Sequence, residues 1–138
     1  MKVELMTRRG TWYNIDNTTS VIEFVKPNML EEKMVYDRIF VQSILAHYTY
    51  NSHSKKYRLA VYNGFSSNLE IAEGSFTDTT FSVDNLNNKF GYETEEMPHS
   101  RYTISEIKDD SFTVLVEQSN DKGETWRASD RFLYTRKK

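Results

Sequence analysis

The residues of this chain that could do chemistry are scattered, and most sit among aromatics. The three histidines, His47, His53 and His99, stand in no metal-ligand spacing such as His-x-Glu or His-x-x-x-His. With no cysteine, thiolate nucleophiles, disulfides and Cys-ligated metals are excluded. No serine lies in Gly-x-Ser-x-Gly, and no glycine-rich loop could cradle a phosphate. Glu31-Glu32 and Glu95-Glu96 are paired in sequence only. Neighbouring strand residues point to opposite faces, so such pairs make poor acid/base partners. Glu73 is better placed, because Gly74 in the interior of a strand-like run suggests a bulge or a barrel bend that could re-aim it. No catalytic residue, metal site or resident cofactor is expected. What remains is a set of polar groups embedded in apolar strands, Tyr48, Arg101, Gln118 and Asp130, together with Trp126. A ligand pocket has that character: mostly apolar, with a few polar groups that orient the guest.

The elements that must carry these residues read as short strands. Residues 100–138 hold three apolar-patterned runs separated by two polar turns, which is the pattern of an antiparallel meander. Residues 21–25 (VIEFV) are β-branched and aromatic, and Lys26-Pro27-Asn28 ends them. Residues 30–34 fit a strand better than a helical turn, since nothing caps them. Residues 40–50 and 57–63 flank the polar turn at 51–56 and make a hairpin. Residues 69–76 and 79–86 follow, and 87–100 read as a long loop. The total is nine or ten strands with no clear helical periodicity, so the chain is all-β, a sandwich or a barrel.

Turn lengths give a register, and directly opposed residues share a face. Pairing Tyr50 with Tyr57 sets Tyr48 against Leu59 and Ala46 against Val61, an apolar face with tyrosine hydroxyls; His47, Thr49, Arg58 and Tyr62 take the other face. Pairing Ile107 with Phe112 sets Arg101 against Gln118. Aligning Gln118 with Trp126 then sets Val114 against Asp130 and Phe112 against Phe132. One inward face would therefore carry Arg101, Gln118, Trp126 and Asp130. Arg101 and Asp130 could equally pair with each other, and a one-residue slip would turn these side chains outward.

Composition bounds the rest. At 138 residues the chain is expected to be one domain, residues 1–138, able to build its own core. Nine Tyr, eight Phe and two Trp suit pleated, half-buried surfaces. A net charge of −2 with no block of like charge leaves no footprint for nucleic acid, and Arg136-Lys137-Lys138 reads as a solvated end. No apolar stretch approaches the ~18 residues of a membrane helix, and residues 1–9 lack the apolar core of a secretory signal. A cytoplasmic protein is expected.

Two segments resemble a known family. YNSHSKKYRLAVYN (residues 50–63), followed by LEIAEGSF, resembles the second hairpin of the lipocalin-like, calycin-type domains of unknown function found in many bacteria. Residues 101–138 resemble their C-terminal strands, with the Tyr-Thr-Arg-Lys ending at Tyr134-Thr135-Arg136-Lys137. Gly10-Thr11-Trp12 could match the Gly-x-Trp of a first calycin strand. The resemblance implies an up-and-down β-barrel with an internal cavity and no agreed enzymatic activity. A strand histidine in such a barrel could ligate haem, which makes His47 the residue to check. The leading expectation is a non-enzymatic module holding a small hydrophobic or lipid-like molecule, with Tyr48, Arg101, Gln118, Trp126 and Asp130 as ligand-binding residues. A small barrel enzyme using Arg101 and Asp130, and a filled structural barrel, are the alternatives. Exposed edge strands could pair two chains into a homodimer.

Overall fold

The computed structural model describes the chain apart from residues 16, 17, 39, 65–67, 89–96 and 138, with the backbone alone at 15, 36–38 and 40–43. The described residues form eleven strands and no helix: β1 (Lys2–Met6), β2 (Trp12–Ile15), β3 (Thr18–Lys26), β4 (Met29–Arg38), β5 (Phe40–Asn51), β6 (Lys56–Asn63), β7 (Asn68–Thr77), β8 (Thr80–Asp84), β9 (His99–Ser105), β10 (Ser111–Ser119) and β11 (Arg127–Thr135). All belong to one sheet in the order β2-β1-β11-β10-β9-β8-β7-β6-β5-β4-β3, and every pair of neighbours is antiparallel.

The two ends of that order, β2 and β3, are consecutive in sequence. Ile15 and Thr18 are three peptide units apart, so their Cα atoms lie within ~11 Å. A sheet whose first and last strands are tied so closely has to curl, and this one forms a curled half-barrel of up-and-down type. Across the curl, Tyr134 on β11 donates its hydroxyl to Glu32 on β4 at 2.5 Å. Met34 on β4 packs in one core cluster with Val3, Val114, Val116 and Phe132. A second cluster, Ala46, Leu59, Ala72, Phe81 and Val83, fills the β5–β8 side, and Tyr102 and Ile104 touch both.

The β5–β6 hairpin has the expected register, with Tyr50 opposite Tyr57, Tyr48 opposite Leu59 and Ala46 opposite Val61. Its turn is set by Asn51, whose side-chain oxygen accepts the N–H groups of His53 and Ser54 at 3.0 and 3.2 Å, an Asx turn. Lys55 closes the turn in the left-handed region at φ 53°.

The C-terminal meander corrects two expectations. β9 and β10 pair Ile104 with Val114 and Tyr102 with Val116, so Arg101 opposes Glu117 rather than Gln118. Glu106 takes φ 54° and accepts from Thr113 Oγ1 at 2.7 Å. The turn is thereby displaced by one residue and every β9 side chain changes face. β10 and β11 pair Val114 with Phe132 and Val116 with Asp130, a two-residue displacement that keeps the face, until a bulge between Val116 and Glu117 puts Ala128 opposite Glu117.

At Gly74 the ladders to Tyr57 and Val83 run without a register shift, so this is no bulge. A Cβ there would lie 1.9 Å from the Ser82 carbonyl oxygen and 2.8 Å from the Val83 Cα. Glycine lets β7 and β8 approach closely at this position. The expected loop at 87–100 falls largely outside the described residues, and β9 already begins at His99.

Candidate functional site

The candidate site is the concave face, where alternate residues of successive strands converge. At its centre is Glu32, 2% exposed. It accepts hydroxyls from three other strands: Ser20 at 2.6 Å, Tyr48 at 2.9 Å and Tyr134 at 2.5 Å. Burial pushes the Tyr48 phenol well above its usual range, and the charge of Glu32 and its hydrogen bond push the same way, with a smaller contribution from Tyr102. Tyr48 is therefore a fixed donor at any ordinary pH.

A second carboxylate lies beyond Tyr102. Glu70 accepts from the Tyr102 hydroxyl at 3.1 Å and from the Asn85 amide. Asn85 is fully buried and is clamped to β9, its side-chain oxygen accepting the Ser100 N–H at 2.9 Å and its own N–H reaching the Ser100 carbonyl at 3.2 Å. Burial raises the Glu70 carboxyl above its ordinary value; hydrogen bonds from Ser100, Tyr102 and Asn85, and the charge of His99, oppose this. Asp130, the third interior acid, is also raised by burial, against a hydrogen bond from Ser129 Oγ at 2.6 Å. Thr18, buried on β3, has a hydroxyl with no hydrogen-bond partner among the described residues.

The interior acids differ from those on the convex face. Outside, Glu4 pairs with Lys2 and Arg131, Glu31 with Lys33, Glu73 with Arg58 and Glu117 with Arg101. Among the described residues no Lys or Arg pairs with Glu32, Glu70 or Asp130. Their hydrogen bonds come from hydroxyls and one amide, and the charge of His99 acts on Glu70. Burying a carboxylate without a counter-charge is costly, so the concave face is poised to accept protons, donors or a cation.

One end of the concave face is aromatic. Tyr50, Tyr57, Phe81 and Phe76 follow one another with ring centroids 4.9, 5.5 and 6.5 Å apart, and all but Phe81 are more than a third exposed. An open groove of about 570 Å3 continues from this rim, lined by Phe76, Thr80, Ile107 and Lys108 among others.

The structure sorts the sequence-predicted site residues into two groups. Tyr48 and Asp130 face the interior as expected. Arg101 is a correction: the register slip turns it to the convex face, where it bonds Glu117 at 2.8 Å and lies 4.4 Å above the Trp126 ring. Trp126 goes outward with it, since the bulge shifts the start of β11. Gln118 is exposed beside Arg127 and Ser100. Arg101 and Asp130 therefore neither pair nor converge, which removes the candidates of the enzymatic reading. His47 is on the convex face with Nε2 2.8 Å from Glu31, away from any interior guest. The sequence reading missed Glu32 and Glu70. Their signal was an acid within an apolar alternation, Leu30-x-Glu32-x-Met34 and Glu70-x-Ala72-x-Gly74.

Among the described residues no helix is long and apolar enough to cross a membrane. Compared with family models, curated proteins and solved structures, the chain matches none of the three.

Proposed function

We propose that this chain is a non-enzymatic binding protein of lipocalin-like, calycin-type build that takes a small amphipathic molecule against its concave face. The apolar body of the guest would lie along the Tyr50, Tyr57, Phe76 and Phe81 rim. Its head would be a hydrogen-bond donor or an organic cation, because every interior acid offers acceptor oxygens. The observation that carries this reading is the set of three interior carboxylates without a Lys or Arg partner among the described residues, on a face otherwise apolar and aromatic. Cation–π attraction to the tyrosine faces would add to the charge term. A cysteine-free chain suits a reducing compartment, and a bacterial cytoplasm is part of this proposal, supported by the resemblance to bacterial domains.

The test starts with native mass spectrometry of freshly purified protein, to find a co-purified small molecule. Titration with dodecylamine, dodecanol and dodecanoate, three probes of one chain length, then separates head-group classes. The amine should bind at least tenfold tighter than the acid, and Glu32→Gln or Glu70→Gln should weaken the amine alone. Equal affinities would leave the carboxylates with no role in recognition. No binding by any probe and no co-purified molecule would sink the reading.

A further inference from the structure

We infer that the free edge of β3 pairs with β3 of a second copy of this chain, so that the protein is a two-fold homodimer. β3 ends the sheet order, so among the described residues one of its edges lacks a neighbouring strand. Beyond Ser20 its side chains are exposed on both faces: Val21 58%, Ile22 40%, Phe24 71% and Val25 42%. Long apolar edge strands are avoided in monomers, which shorten, charge or kink them. β3 is nine residues long, and its bulge comes only between Phe24 and Lys26 at the hairpin tip. Its one acid, Glu23, lies 3.9 Å from Lys33.

The choice of occupant follows from what the strand leaves unsatisfied. A membrane surface would cover one face and leave the other face and the edge N–H and C=O groups wet. A small molecule cannot continue a hydrogen-bond ladder. A second β3 does both, by strand addition.

A two-fold axis normal to the sheet restricts the register, because opposed residues must share a face. Centred on Ile22, the midpoint of Thr18–Lys26, it opposes Ile22 to Ile22, Ser20 to Phe24, Val21 to Glu23 and Thr19 to Val25, using the whole strand. Centred on Glu23 it would oppose like charges, which is unfavourable. This inference does not depend on the interior binding reading.

Sedimentation velocity of the full chain from 1 to 100 μM should show a species of twice the 16.3 kDa chain mass. Ile22→Lys and Phe24→Lys, which replace exposed side chains, should each weaken dimerisation at least tenfold. Tyr13→Lys, on the opposite edge strand β2, should leave it unchanged. Hydrogen exchange supplies a readout without substitution: amides of residues 21–25 should become protected as concentration rises. A monomer at 100 μM overturns the inference. So does a dimer indifferent to both β3 substitutions, or a monomer whose β3 residues bind phosphatidylglycerol vesicles instead.

Discussion

Glu70 and Asp130 hold their protons more tightly in the folded chain than their ordinary values imply, because burial disfavours the charged form. For a group raised in this way, the native state binds more protons than the unfolded one between the two pKa values. Stability then falls as pH rises through that window and is level above it. The convex acids act oppositely. Glu4 is lowered, first by its hydrogen bond to Lys2 and then by Arg131, so its contribution is present above its unfolded value and is lost on acidification. Asp121 is drawn down to about 2 by Thr125 and Ser119, so its contribution disappears as pH falls from about 4 toward that value. Removing one interior charge isolates the first effect. Glu70→Gln keeps an acceptor for the Asn85 amide and should flatten the decline in unfolding free energy between pH 4.5 and 7, measured by urea titration. Stability at pH 7 should hold or rise, by about 1.4 kcal/mol for each unit by which the Glu70 pKa stands above its unfolded value. A steeper decline in the variant would show that Glu70 is net stabilising as a carboxylate. A cationic guest would reverse the sign, stabilising the wild type where Glu70 is ionised and the variant much less.

At the scale of the strand, Gly74 shows how a single position sets the approach of two neighbours. A methyl group there meets main-chain atoms of β8, which cannot rotate away as a side chain could. Gly74→Ala should cost stability at or above the top of the ~1–3 kcal/mol range for overpacking, read as a lower urea midpoint. At Gly10 a Cβ would meet nothing within 4 Å, and the strain of its φ of 76° is the only penalty. Equal losses at the two sites would show that the close approach of β7 and β8 is not real. The same strands show what was legible in the sequence. The β5–β6 hairpin was readable because Asn51 and its neighbours fix a turn whose length sets the register. β9 was not, because its turn hides a left-handed Glu106 that displaces the pairing by one residue. The strand's own alternation carried the answer, since Tyr102 and Ile104 are its apolar residues and Arg101 and Thr103 are not. Glu32 was unreadable as a centre for another reason: its three donors lie 12, 16 and 102 residues away, and no local spacing brings them together.

Over the whole molecule the decisive contact is the one across the curl. Seven neighbouring strand pairs separate β11 from β4 in the sheet order, yet Tyr134 reaches Glu32 directly. Met34, two residues from Glu32 on the same face, packs with Val3 and Phe132 beside it. The hydrogen bond therefore sits within an apolar seam that shields it from water, where such a bond is worth more than at a surface. Tyr134→Phe keeps the ring, which stacks on Phe112 at 4.2 Å, and removes only the hydroxyl. Glu32 would keep Ser20 and Tyr48 as donors. The expected loss is about 1–3 kcal/mol, the range between neutral and charge-assisted hydrogen bonds, with an unchanged urea m-value, since the surface exposed on unfolding stays the same. Hydrogen exchange should localise the effect: amides of β4 and β11 should open more readily together, while the β5–β6 hairpin keeps its protection. If β4 alone loosened, the curl would be held by the apolar seam without this bond. If neither strand changed, Glu32 would be satisfied by its remaining hydroxyls and free to meet a guest.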